Sequence, residues 1–179
     1  EELGFLKQVA ASSIQYANVI QTGANKGRNS LSYPTTGLGR QLGIVAKLIS
    51  GGLNTPIYLV NIGGFDTHAN QLTQHANLWK TISEAVATFQ TDMTNQNLAD
   101  QISVMTFSEF GRRVNQNGTL GTDHGTAAPM FVIGKTVRGG MVGSNPDLKL
   151  VDSNGDLKFK YDYRQVYSTI LRDHLGLDN

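Results

Sequence analysis

The sequence predicts an α/β fold, a central mostly parallel sheet flanked by helices, on three observations. Two apolar runs, Ile57-Tyr58-Leu59-Val60-Asn61-Ile62 and Ile102-Ser103-Val104-Met105-Thr106-Phe107, have the length and content of buried strands. Stretches with apolar residues at three-to-four spacing precede and separate them, as helical crossovers do. Near the C-terminus an Asn-Gly pair lies between two alternating segments, which reads as an antiparallel hairpin beside the sheet.

The elements follow in order. Leu3, Leu6, Val9, Ser13, Tyr16 and Ile20 recur at helical spacing, which predicts a helix over 2–21 with an acidic start suited to its N-terminus. Residues 22–36 are rich in Gly, Asn and Ser and contain Tyr33-Pro34, a loop signal. Leu38, Leu42, Val45, Ala46 and Ile49 mark a second helix, stopped by Gly51-Gly52. Pro56 leads into the first strand, over 57–62. A long helix over 69–95 follows, with Leu72, His75, Trp79, Ile82, Val86, Phe89 and Met93 on one face. Strands are expected over 102–107 and 130–133, with a Gly-rich loop between them. Residues 139–146 are turn-rich. Segments 148–151 and 157–161 form the hairpin around Asn154-Gly155, and a closing helix over 164–175 ends at Gly176. No repeat or second domain is visible, so the whole of 1–179 reads as one domain.

Composition narrows the function. Charged residues make up 16% of the chain and the net charge is +1, with no run of basic residues. Neither nucleic acid nor an anionic membrane surface is indicated. No apolar stretch approaches the roughly 18 residues that span a bilayer. With no cysteine in the chain, disulfides and thiolate metal sites are excluded, so a bound metal must rest on oxygen and imidazole.

Three segments place such groups at strand ends or in loops. Gly63-Gly64-Phe65-Asp66-Thr67-His68 closes the first apolar run, at the edge where α/β sheets bind ligands. Asp66 and His68 are two apart, so in extended backbone both face one side and can share an ion. The structural alternative is that Asp66 caps the following helix. Ser108-Glu109-Phe110-Gly111-Arg112 follows the second strand; Glu109 there can be a ligand, a general base or the ion-pair partner of Arg112, whose planar fork suits phosphate, sulfate or carboxylate. Gly121-Thr122-Asp123-His124-Gly125 adds a second Asp and His in a loop whose glycines allow backbone to approach a ligand closely. The candidate metal ligands are thus Asp66, His68, Asp123 and His124, and the candidate catalytic residues Glu109 and Arg112. His75, on the apolar face of the long helix, reads as a hydrogen-bonded core histidine, and His174 as a helix-end residue. Ser108 lacks a nucleophile elbow, and phosphate-loop and dinucleotide fingerprints are absent.

These three motifs in this order resemble a bacterial domain-of-unknown-function family, number fifteen-oh-one. Leu38-Gly39-Arg40-Gln41-Leu42 and Asp162-Tyr163-Arg164-Gln165-Val166-Tyr167 match it more weakly, so the likeness covers nearly the whole chain. That family is grouped with the alkaline phosphatase and sulfatase superfamily. The resemblance implies a sheet sandwiched by helices, one or two divalent metals and hydrolysis of phosphate or sulfate esters. It implies that Asp66, His68 and His124 hold one metal. Ser108-Glu109-Phe110-Gly111 aligns with the segment that serves a second metal, where Glu109 replaces an Asp and Phe110 a His. The nucleophile is expected on strands that precede Glu1, which makes this chain the later portion of a longer domain. Export to the periplasm or the medium is implied as well.

The expectation is therefore a metal-dependent hydrolase acting on a small ester, with zinc, manganese or iron as cofactor. The alternative is a non-catalytic exported relative that keeps the motifs for binding or assembly.

Overall fold

The structure, a computed structural model, describes residues 2–177. Its helices among the described residues are α1 (Glu2–Lys26), α2 (Gly37–Ser50), α3 (Gln71–Asn95) and α4 (Tyr163–Asp173). The strands are β1 (Val104–Met105), β2 (Gly111–Gln116), β3 (Thr122–Gly125) and β4 (Val132–Ile133). They make two separate two-stranded sheets, β1 with β4 and β2 with β3, both antiparallel.

The expected central parallel sheet is therefore wrong, and the fold is not of the alkaline phosphatase kind. The reason lies in backbone pairing: an apolar run becomes a strand only where a neighbour accepts its N–H groups and donates to its carbonyls. Residues 57–62 run without a ladder, and Ile57 and Leu59 are 64% and 75% exposed. A side chain substitutes for the missing neighbour at one point. The Asn61 N–H donates to Gln41 Oε1 at 3.0 Å, and Gln41 Nε2 donates to the Asn61 carbonyl at 2.8 Å. Within 102–107 only Val104 and Met105 pair, and their partners Ile133 and Val132 run the opposite way. The C-terminal hairpin reduces to a turn at Asp152–Gly155 and a single bridge between Val151 and Leu157.

The chain packs as two compact units. The first comprises Glu1–Ile62 with Thr81–Ala99. Its core is Leu38, Leu42, Ala46 and Leu48 from α2 with Ala85, Val86, Phe89 and Met93 from α3, all buried. Thr36 caps α2 by accepting from the Gly39 N–H at 3.1 Å, and Gly51 closes it by donating to the Lys47 carbonyl at 2.9 Å. α1 forms as its periodicity predicts and extends five residues past the expected end, to Lys26, but Leu6, Val9, Tyr16 and Ile20 on its apolar stripe stay exposed.

The irregular loop before α2 is held by a carboxylate. Asp92 of α3, fully buried, accepts from the Ser30 N–H (2.8 Å), Ser30 Oγ (2.7 Å), Tyr33 Oη (2.8 Å) and Gln96 Nε2 (2.8 Å). These donors satisfy a charge that would otherwise be costly to bury. They outweigh the opposing effect of burial and hold the Asp92 carboxyl below its ordinary range, while burial, with Asp92 beside it, pushes the Tyr33 hydroxyl up.

The second unit comprises Gly63–Lys80 with Asp100–Asn179. Its packing is aromatic: Phe65, His75, Trp79 and Phe131 meet edge-on at centroid separations of 5.2–6.1 Å. His75 lies in this cluster, and its Nε2 accepts from the Trp79 indole at 3.1 Å. Asp162 and Gln165 form a capping box at the start of α4, and the His174 N–H closes its end on the Ile170 carbonyl.

Candidate metal centre

The centre is built inside the second unit from two short backbone assemblies. The first is the approach to α3. The Thr67 N–H donates to the Phe65 carbonyl (2.8 Å) and the His68 N–H to the Asp66 carbonyl (3.2 Å), so the chain is tightly turned here. Thr67 points inward and is 2% exposed. Its neighbours on either side point out together, with His68 Nε2 at 2.9 Å from Asp66 Oδ1. Asp66 does not cap α3, which begins at Gln71.

The second assembly is the β2–β3 hairpin, paired where the Gly-rich composition predicts a loop. Its register pairs Gly111 with Gly125 and Arg112 with His124. Cross-strand partners share a face, so His124 and Arg112 project together towards Asp66. His124 Nε2 lies 2.6 Å from Asp66 Oδ1 and 3.2 Å from His68 Nε2.

Close backbone contact locks the two assemblies. The Asn70 and Gln71 N–H groups donate to the carbonyls of Thr119 and Leu120, and Asn117 Nδ2 and Thr119 Oγ1 both donate to the His68 carbonyl. A Cβ at Gly121 would lie 2.2 Å from the His68 carbonyl carbon, and one at Gly111 would lie 2.0 Å from the Ala127 carbonyl oxygen. The motif glycines therefore admit neighbouring backbone, not a ligand as their pattern suggested.

Phe110 and Arg112 frame the imidazole of His124. The Phe110 ring stacks on it, and the Arg112 guanidinium carbon sits 4.9 Å from the Phe110 centroid. Both terminal nitrogens of Arg112 are engaged: Nη1 donates to the Thr122 carbonyl, and Nη2 to the Phe65 carbonyl at 2.6 Å and to Asp66 Oδ1 at 3.2 Å. The hydrogen bond from His124, helped by the charges of His68, His124 and Arg112, holds the Asp66 carboxyl below its ordinary range against the effect of desolvation.

Asp66 Oδ1, His68 Nε2 and His124 Nε2 thus converge, each within 4.8 Å of the others. Donors about 2.0–2.1 Å from a tetrahedral zinc ion are about 3.3 Å apart. The separations of 2.6, 2.9 and 3.2 Å are close to that spacing, so a slight opening would admit an ion. The donor set of one carboxylate and two imidazoles fits a borderline divalent metal. Solvent reaches the site, since each imidazole side chain is 46% exposed.

The other expected site residues fall elsewhere. Asp123 Oδ1 faces the far ring nitrogen of His68, Nδ1, at 3.5 Å. Glu109 is exposed and makes no side-chain hydrogen bond or ion pair among the described residues, so it does not pair with Arg112. Ser108 Oγ donates to the Phe110 carbonyl at 3.0 Å. Asn117 was not foreseen. The Asn117-Gly118 dipeptide between two short segments is a hairpin signal that could have found both the residue and its turn.

No curated protein and no solved structure matches the chain. A family model does match, over residues 21–179, and it spans all three motifs that build this centre. The chain belongs to the family described as "Protein of unknown function (DUF1501)".

Proposed function

We propose that the chain holds one divalent metal ion on Asp66 Oδ1, His68 Nε2 and His124 Nε2, and that this centre hydrolyses a phosphate or sulfate ester. The observation that carries the reading is the convergence of those three atoms from segments 58 residues apart. Three protein ligands are the usual complement of a catalytic site, which keeps a further position for water or substrate. One carboxylate on a divalent ion leaves net positive charge, which suits an anionic substrate. When bound, the ion supplies Lewis acidity towards an ester oxygen and lowers the pKa of a water. The chain's own residues do the rest. Arg112 orients Asp66 and adds positive charge beside it, and Phe110 holds the His124 ring. The ester class and an exported location come only from what the resemblance of the motifs to the matched family implies, and the fold adds nothing to them; zinc, manganese and iron all suit the ligands.

Two observations favour a second reading, a metal-binding protein without turnover. Phe110 stands where a second-site imidazole is expected, and Arg112 spends its terminal donors on Phe65, Thr122 and Asp66. Metal analysis of the purified protein, followed by assay on nitrophenyl phosphate and nitrophenyl sulfate, separates the two. Stoichiometric metal with turnover that Asp66→Ala abolishes supports hydrolysis. Metal without turnover supports the second reading, and absence of bound metal after zinc loading ends both.

A further inference from the structure

A histidine ligates metal through one nitrogen only when its proton sits on the other, and the partner of that second nitrogen decides the tautomer. For His68 the converging atom is Nε2. Its Nδ1 faces Asp123 Oδ1 at 3.5 Å, a distance that a small side-chain rotation converts to a hydrogen bond. Because the two ring nitrogens point in different directions, Asp123 lies outside the group of atoms that face the ion position.

Asp123 is itself held. Asn117 Nδ2 donates to Asp123 Oδ1 at 3.3 Å and to the His68 carbonyl at 3.0 Å. The orientation of that amide is decided by its other end, because Asn117 Oδ1 accepts the N–H groups of Thr119 and Gly121, each at 3.0 Å. Nδ2 must therefore be the donor, and Asp123 meets Asn117 as an acceptor. With an ion on Nε2 the ring proton sits on Nδ1, and the Asp123 oxygen is there to accept it; in the metal-free chain Asp66 Oδ1, 2.9 Å from Nε2, competes for that proton.

We propose that Asp123, held by Asn117, is a positioning residue of the metal centre, taking the Nδ1–H of His68 so that Nε2 faces the ion. This rests on the metal-centre reading given above, and it assigns Asp123 a place behind the ligand, not among the ligands. Loss of such an outer partner typically lowers metal affinity about 10–100-fold.

The test is zinc titration by calorimetry on the intact chain, wild type against Asp123→Ala and Asp123→Asn, with His124→Ala as control. It is paired with nitrogen–proton NMR of the His68 ring in zinc-loaded protein. The expected result is one zinc per wild-type chain and a His68 Nδ1–H signal that is shifted downfield and slow to exchange. Asp123→Ala should bind zinc about 10–100-fold more weakly and lose that signal. Asp123→Asn, which keeps a carbonyl acceptor, should recover most of both. Unchanged affinity and an unchanged Nδ1–H signal in Asp123→Ala overturn the positioning role while leaving the metal centre intact. Loss of stoichiometric binding in both Asp123 variants also overturns it, because that pattern makes Asp123 a ligand. If wild-type protein binds no zinc, the metal-centre reading falls, and the proposal with it.

Discussion

The Phe110 ring lies parallel to the imidazole of His124, 4.0 Å between centroids and 6° between planes. Stacking of this kind contributes about 0.5–1.5 kcal/mol beyond burial, and here it fixes the ring plane of a candidate ligand. Phe110→Ala is therefore expected to weaken zinc binding about 2–10-fold, read by calorimetry, while Phe110→Tyr binds as wild type does. An unchanged dissociation constant in Phe110→Ala would show that the stack does not orient His124.

Arg112 ties Asp66 to the backbone of its own segment at Phe65 and to that of the neighbouring strand at Thr122. A lysine cannot reproduce that fork. Arg112→Lys should lower stability to urea by on the order of 2 kcal/mol, from the charged hydrogen bonds lost, and weaken zinc binding as well. Wild-type stability in this variant would mean the fork is dispensable.

Gly121 rests against the His68 carbonyl, and an added Cβ would approach that group to 2.2 Å. Neither partner is the end of a flexible side chain, so backbone must move. Gly121→Ala should displace His68 and reduce zinc affinity more than Gly118→Ala, because a Cβ at Gly118 meets nothing within 4 Å. Equal affinities for the two variants would refute the close-approach account.

Asp92 gives the first unit an acid sensitivity. Burial disfavours its charge, but the hydrogen bonds from Ser30, Gln96 and Tyr33 prevail, and the folded carboxyl titrates below the unfolded one. The unfolded chain therefore binds more protons in the acid range, and the stabilisation is present in full above about pH 4 and lost as the pH falls through the lowered value. Asp92→Asn should be less stable than wild type at pH 7 by on the order of 2 kcal/mol, with the gap narrowing below pH 4. Urea unfolding at pH 7 and pH 3.5 checks this; a gap that is constant with pH would exclude the charge as its source.

The helices were legible because periodicity is local: the apolar spacing in α2 and α3 marks each within a few residues, and Gly51 supplies the stop of α2. The sheet was not, because pairing depends on partners that no single run specifies. Ile57–Ile62 has strand composition and no neighbour, whereas Gly111–Gln116, with Arg112, Arg113, Asn115 and Gln116, looks too polar for a strand and still pairs. Within the site, the shared side of Asp66 and His68 followed from their spacing, and the convergence of His124 followed from motif likeness. The place of Asp123 did not, since it turns on which ring nitrogen of His68 faces which neighbour, a matter of side-chain rotation invisible in residue order.

His124 and Asp66 are joined across 58 positions of chain, and the bonds from the Asn70 and Gln71 N–H groups to Thr119 and Leu120 close that stretch without metal. An ion held on the proposed ligands would add a removable stitch to this closure, one that a chelator takes out without touching a covalent bond. Proteolytic nicking at the exposed residues 118–120 should accordingly quicken when metal is stripped and slow when it is restored.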